Sequence, residues 1–166
     1  SWSGYLPFRH QGGGNLEKDF VVNWLKKQMA TPSDKIFHNA MYDVGWLRRL
    51  GVDVSGTIQD TMVAAPLVNE NRNRYSLDSL GSEYCGERKD ESLLKEAAHS
   101  FGVDPKSGMW KLPSNYVGPY AEQDAVLTLK LWQVLKELID KEEVRQIYTL
   151  ERDLLPLLLE MRWNGV

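Results

Sequence analysis

The chain has 166 residues, of which 42% are hydrophobic and 26% are charged, and its formal net charge is −3. This length and composition predict a globular domain with a buried core and exclude a disordered or collagen-like chain. The negative charge argues against a protein that holds nucleic acid by bulk electrostatic attraction, but it allows an enzyme that binds a few nucleotides in a cleft. No apolar run reaches the ~20 residues that span a bilayer, so we expect no membrane partner. The single cysteine, Cys85, fits a reducing cytoplasm.

The first half of the chain alternates predicted strands with predicted helices. A short strand is expected at residues 5–9, and Asn15 is expected to cap a helix that Pro32 ends. A buried strand is predicted at residues 35–38, followed at once by a helix that Gly51 ends.

The second half becomes increasingly helical. A short strand near residues 57–59 precedes a helix from Thr61 to about Val68, and shorter helices are predicted at residues 75–80 and 92–99. A regular helix is expected from Pro119, and a last one from about 143 to 163, kinked or interrupted by Pro156. The alternation predicts an α/β fold with a parallel component, and the helical final third predicts a connector into a following domain.

Asp43 follows the strand at residues 35–38, in the segment Asn39-Ala40-Met41-Tyr42-Asp43. The carboxyl ends of parallel strands are where open α/β sheets bind ligands. A structural interpretation is equally open, with Asn39 as a helix cap and Asp43 as a first-turn acid that the helix dipole favours.

Asp124 lies on the predicted inward face of the helix that begins at Pro119, one turn after Tyr120. A buried carboxylate costs several kcal/mol unless a cation or hydrogen bonds compensate it. A Tyr–Asp hydrogen bond or an ion pair would be sufficient, so this position alone does not require a metal. With Asp43, it suggests a shared metal site.

The two segments, Asn-x-x-Tyr-Asp and Tyr-x-x-x-Asp, together resemble the second and third motifs of the proofreading exonuclease domains of family A DNA polymerases, in the class with a tyrosine in the third motif. Residues 58–62 and 75–80 resemble the strand end and helix that lie between those motifs in the family. Residues 151–166 resemble the helix that joins exonuclease to polymerase. The resemblance covers nearly the whole chain in the expected order.

The resemblance implies an RNase H-like fold and hydrolysis of DNA 3′ ends with two Mg²⁺ or Mn²⁺ ions. It assigns Asp43 and Asp124 to the metals, Tyr120 to the attacking water, and Asn39 and Tyr42 to the 3′-terminal nucleotide. The implied domains are the exonuclease, without its first strands, at residues 1–140, and a helical linker with the start of the polymerase domain at 141–166. The implied partners are a single-stranded DNA 3′ end and the polymerase domain of the same parent. The implied location is the cytoplasm, of the cell itself or of a virus-infected host.

The family's first motif, an Asp-x-Glu on the first strand, is missing here. We therefore expect an N-terminally truncated fragment that is inactive alone. Two alternatives remain: a ribonuclease D-like 3′–5′ exoribonuclease, which shares both motifs, and a non-catalytic remnant that binds nucleic acid.

Overall fold

The protein is described by a computed structural model that covers residues 2–166. The chain forms α1 (Lys18–Met29), β1 (Lys35–Phe37), α2 (Ala40–Arg49), β2 (Ile58–Asp60), α3 (Thr61–Val68), α4 (Leu77–Leu80), α5 (Ser92–Ser100), α6 (Ser114–Lys141) and α7 (Arg145–Asn164). A π-helical turn follows α4 at Gly81–Cys85, and a 3₁₀ turn lies at Met109–Lys111. Among residues 2–166, no helix is both long and apolar enough to cross a membrane.

The described chain divides into two compact units, one made of residues 2–25 and 88–126 and the other of residues 26–87 and 127–166. The second unit contains the sheet, in which β1 and β2 pair in parallel, with Lys35 opposite Ile58 and Phe37 opposite Asp60. Helix α2 makes the crossover between the two strands. The predicted α/β class with a parallel component is therefore confirmed, in a fold that is mostly helical.

Each unit has its own apolar core. The core of the sheet-containing unit is built by buried residues of α3, α4, α6 and α7: Ala64, Ala65, Leu77, Leu80, Leu127, Leu131, Trp132, Leu135, Ile139 and Tyr148. The core of the other unit is smaller and consists of Leu94, Ala97, Ala98, Leu112 and Val117.

The predicted strand at residues 5–9 is wrong, because this segment has no strand hydrogen bonding. Tyr5 packs instead against the smaller core, and its hydroxyl lies 2.5 Å from His10 Nε2. The carbonyl of Pro7 accepts from the Leu16 N–H at 2.7 Å, while Pro7 itself has no N–H to give to a ladder.

Two predicted helix starts also differ from the structure. The Asn15 side chain bonds the His10 backbone, and the first turn of α1 is capped by Glu17, which accepts from the N–H groups of Asp19 and Phe20. Helix α6 begins at Ser114, not at Pro119, because burying Val117 in the smaller core favours an earlier start. Helix α7 continues through Pro156.

Candidate active site

The second-motif segment begins where β1 ends, at Asn39. This residue has a left-handed backbone (φ 74°, ψ 59°), which asparagine tolerates better than most residues, and its side chain makes no capping bond to α2. The predicted capping role of the Asn39 side chain is therefore wrong. Its backbone N–H, and that of Ala40, point instead at the carboxylate of Asp60.

Asp60 connects the starts of two helices. Its Oδ1 accepts from Asn39 N–H at 3.0 Å and from Met62 N–H at 2.8 Å, and its Oδ2 accepts from Ala40 N–H at 2.7 Å. Only 2% of Asp60 is exposed. The carboxylate therefore caps α3 and also anchors the first residues of α2, which carries Asp43.

A second layer of hydrogen bonds supports this anchor. The Tyr148 hydroxyl donates to Gln59 Oε1 at 2.7 Å and accepts from the Asp60 N–H at 3.4 Å. Thr61 Oγ1 donates to the Phe37 carbonyl and lies 2.9 Å from His38 Nδ1. Both strand ends are thus fixed by buried or half-buried polar contacts.

Asp43 lies one turn into α2 and is half-buried. Burial, reinforced by the negative charge of Asp60, raises the pKa of Asp43 to about 6. A carboxylate that is desolvated next to another carboxylate is destabilised in its charged form, and a bound cation would relieve this. Its neighbour Tyr42 is 55% exposed, with its ring edge-on to Trp46 at a centroid distance of 6.3 Å.

The third-motif residues lie in the other unit, on α6, where they meet Lys89. The Lys89 ammonium lies 2.7 Å from Asp124 Oδ1 and 2.9 Å from Oδ2, and it donates to the Tyr120 hydroxyl at 3.0 Å. The same ammonium lies 4.7 Å from the centre of the Tyr120 ring. Tyr120 and Asp124 therefore both contact the Lys89 ammonium. Their spacing of four residues makes this possible, because it places both side chains on the same face of α6.

Burial and the ion pair have opposite effects on the charged forms of Asp124 and Lys89. Burial raises the pKa of Asp124, and the Lys89 ion pair offsets this only in part. Burial disfavours the Lys89 ammonium, but its bonds to Asp124 and Tyr120 outweigh this and raise the pKa of Lys89. Asp124 thus occupies a site that already accommodates a positive charge.

Few carboxylates near the two motifs are available to bind a metal ion. Among residues 2–166, no group of three or more His, Cys, Asp or Glu side chains is placed to hold an ion. Asp60 is occupied by three N–H groups, so Asp43 is the carboxylate that the second-motif segment can offer, and Asp124 is the third-motif carboxylate on α6. One Asp-x-Glu triplet does occur, at residues 140–142, but it lies at the end of α6, where Asp140 pairs with Arg145. Asp43 and Asp124 each fit Mg²⁺ or Mn²⁺ in charge and in donor type.

The structure brings Asn39, Tyr42 and Asp43 together in one unit, and Tyr120 and Asp124 together in the other. That the two sets meet in one site stays a prediction. Sequence reasoning missed Lys89, which lies in an irregular segment whose pattern gives no signal.

Comparisons with known proteins agree with the two motifs. The 3′–5′ exonuclease family matches residues 5–140. The chain is similar to a DNA-directed DNA polymerase of Pseudomonas phage M6, with 37% identity over 98% of the chain. It is also similar to DNA polymerase DpoZ of Salmonella phage PMBT28 (31% identity, 97% of the chain) and to DNA polymerase I of Pseudomonas aeruginosa (27% identity, 97% of the chain).

The matched part of these relatives is small. The chain spans 25% and 27% of the length of the two phage polymerases and 18% of the bacterial one. The family match, however, includes every motif residue from Asn39 to Asp124. The chain therefore belongs to the 3′–5′ exonuclease family found in family A DNA polymerases.

Proposed function

We propose that this chain is the proofreading module of a DNA polymerase and hydrolyses DNA from its 3′ end on an RNase H-like fold. The observation that carries the proposal is the pair of half-buried carboxylates at the two family motifs. Asp43 is destabilised as an anion beside Asp60, and Asp124 is held against a cation. Both carboxylates are in environments suited to a positive ion.

The roles follow from the chemistry of each side chain. Asp43 and Asp124 would hold Mg²⁺ or Mn²⁺, which when bound supplies Lewis-acid stabilisation of the charge that develops on the phosphate. Tyr120, whose hydroxyl contacts both Lys89 and Asp124, would orient the attacking water. Tyr42, exposed at the start of α2, and Asn39 would contact the 3′-terminal nucleotide.

The domain limits and partners belong to the same proposal. Residues 1–140 form the exonuclease, residues 141–166 lead to the polymerase domain of the same parent chain, and the substrate is a single-stranded DNA 3′ end. The relatives are named as DNA polymerases, which favours DNA over the RNA substrate of a ribonuclease D-like enzyme. They come from phages and bacteria, which supports action in the cytoplasm of a bacterial cell, infected or not.

One observation favours a second candidate, a non-catalytic module that binds nucleic acid. The Lys89 ammonium already contacts both Asp124 oxygens, with which a metal ion would have to bond. In this alternative, Lys89 permanently occupies the position of the metal ion, and the chain binds DNA without hydrolysing it.

The test requires a protein that carries the family's Asp-x-Glu strand together with these residues. We expect it to shorten a 5′-labelled single-stranded oligonucleotide from the 3′ end with Mg²⁺ or Mn²⁺, whereas the 166-residue chain alone degrades it negligibly. Asp124→Ala should lower the rate by at least about a hundredfold, since it removes charge stabilisation at the reacting phosphate. Tyr120→Phe should lower the rate less, because the phenol positions water and binds no metal.

Asp53→Ala is the matched control, because Asp53 is an exposed carboxylate in the loop after α2. It should leave the rate unchanged. Undiminished digestion by the Asp124→Ala protein would show that the proposed site is wrong. Digestion absent from all forms would favour the non-catalytic candidate.

A further inference from the structure

A groove of about 680 Å³ lies beside the second-motif segment, within the unit that contains the sheet. We call it the Trp46 groove. It is lined by residues of α2 and α7: Tyr42, Gly45, Trp46, Arg48, Arg49, Leu159, Arg162 and Trp163. Among residues 2–166, those that line it include three arginines and three aromatic residues but no carboxylate, although the chain as a whole is negatively charged.

The aromatic rings of the Trp46 groove are open to solvent. Trp46 is 50% exposed, Trp163 is 49% exposed and Tyr42 is 55% exposed. Exposed indole rings of this size are costly on a surface with nothing to cover them, and grouped ones mark binding sites. Tyr42 and Trp46 are four residues apart on one helix face, so a ligand that reaches Tyr42 passes Trp46.

The arginines divide into one that is neutralised and two that are not. Arg48 forms two bonds with Glu160, at 2.6 and 3.2 Å, and stacks 4.4 Å from the Trp163 ring centre. Arg49 lies 5.3 Å from the Trp46 ring centre, and Arg162 donates to the Met41 carbonyl at 2.8 Å. In the part of the chain that the structure describes, neither Arg49 nor Arg162 pairs with a carboxylate.

Exposed rings that share a groove with unneutralised guanidinium groups match a ligand that alternates flat bases with negative phosphates. Bases stack on aromatic side chains regardless of sequence, and arginines neutralise the phosphates between them. A duplex hides its base faces, so the complementary ligand is single-stranded.

We propose that the Trp46 groove binds single-stranded DNA, with bases on Trp46 and Trp163 and phosphates at Arg49 and Arg162. The strand continues past Tyr42 towards Asp43. Its direction, with the 3′ end at Tyr42, rests on the proposed function, whereas binding itself does not. The groove thus holds the nucleotides that precede the one being removed.

The test measures binding of the 166-residue chain to a fluorescein-labelled oligothymidylate of about ten nucleotides, in EDTA, by fluorescence anisotropy. Trp46→Leu should weaken binding about tenfold, since one stacked base is lost. Arg49→Gln and Arg162→Gln should each flatten the plot of log K against log salt by about 0.7, the value for one phosphate on a single strand. A duplex of the same length should bind more weakly than the single strand.

Two substitutions of matched chemistry serve as controls. Trp110→Leu removes an indole that is 54% exposed and also lies beside a cation, Lys111. Lys141→Gln removes one positive charge at the end of α6. Trp110→Leu should weaken binding far less than Trp46→Leu does, and Lys141→Gln should change the salt slope far less than Arg49→Gln does. All variants should show the same thermal unfolding midpoint.

Three results would overturn the groove assignment. The first is that the unsubstituted chain does not bind the oligonucleotide, and the second is that the Trp46→Leu and Trp110→Leu variants bind it equally well. The third is that Trp46→Leu lowers the stability of a longer polymerase but does not weaken DNA binding. The last would mean that the groove packs against another part of that protein. Because no metal is present, the result is independent of hydrolysis. Normal digestion by Asp124→Ala together with weak binding by Trp46→Leu would reject the proposed function and keep the groove.

Discussion

Asp43 has an environment that disfavours its charged form. It is half-buried on the first turn of α2, and burial together with the Asp60 charge raises its pKa from 3.8 to about 6. Between these two pH values the folded chain binds more protons than the unfolded chain. Its stability must therefore fall as pH rises through this window.

We expect Asp43→Asn to remove this dependence. The variant should be more stable than the parent chain at neutral pH by about 1–2 kcal/mol, a value reduced from the full shift because the side chain is partly solvated. The difference should vanish well below pH 3.8, where the parent carboxyl is protonated in both states. Urea denaturation at pH values on both sides of the window measures it. Asp53→Asn, on an exposed loop, should show no such change, and parallel pH curves for parent and Asp43→Asn would contradict the assignment.

At the scale of elements, Asp60 is what connects β2, α3 and α2. Three backbone N–H groups from the first residues of two helices converge on its two oxygens. These groups have no partner within their own helices, so the carboxylate satisfies donors that would otherwise be buried without an acceptor.

Asp60→Asn tests this connection, since an amide keeps one acceptor oxygen and directs an N–H₂ group at the other donors. We expect the free energy of unfolding to fall by about 2–3 kcal/mol, because charge-assisted bonds are lost and a buried donor is left unpaired. Asp90→Asn is the control, because Asp90 accepts from Ser92 in the same way but is fully exposed, so its effect should be smaller. Equal effects of the two substitutions in urea would show that the Asp60 contacts are not structural.

Local signals decide which elements can be read from the sequence. Helix α3 occupies Thr61–Val68 as predicted, because an aspartate cap precedes it and a polar segment follows it. Strand β1 was predictable from its apolar run before Asn39. Residues 5–9 have the composition of a strand, but tertiary contacts of Tyr5 determine their conformation, and no local pattern reports those contacts.

In the candidate site, too, some features follow from local sequence and others depend on tertiary contacts. Tyr120 and Asp124 could be placed on one face of a helix from their spacing alone, and the structure puts both against one cation. That this cation is Lys89 could not be predicted, because Lys89 precedes α5 in a segment without periodicity. Contacts between distant segments depend on packing, which the order of residues does not display.

At the scale of the molecule, the two carboxylates of the proposed site belong to different compact units. Asp43 lies in the unit with the sheet, and Asp124 lies in the unit with α5. Under the proposed function, both carboxylates would serve one metal site, which neither unit could supply alone.

Manganese binding by the chain distinguishes one shared site from two independent ones. Mg²⁺ and Mn²⁺ keep most of their waters when few carboxylates are offered, so we expect a dissociation constant of about a millimolar or weaker, read from the electron paramagnetic resonance signal of free Mn²⁺. If the carboxylates act together, Asp43→Asn and Asp124→Asn should each abolish this binding, and the double variant should lose no more than either single one. Asp53→Asn should bind as the parent does. If each single variant loses only part of the Mn²⁺ binding and the double variant loses the sum of the two parts, Asp43 and Asp124 do not share a metal. A micromolar constant would show that a further ligand completes the site.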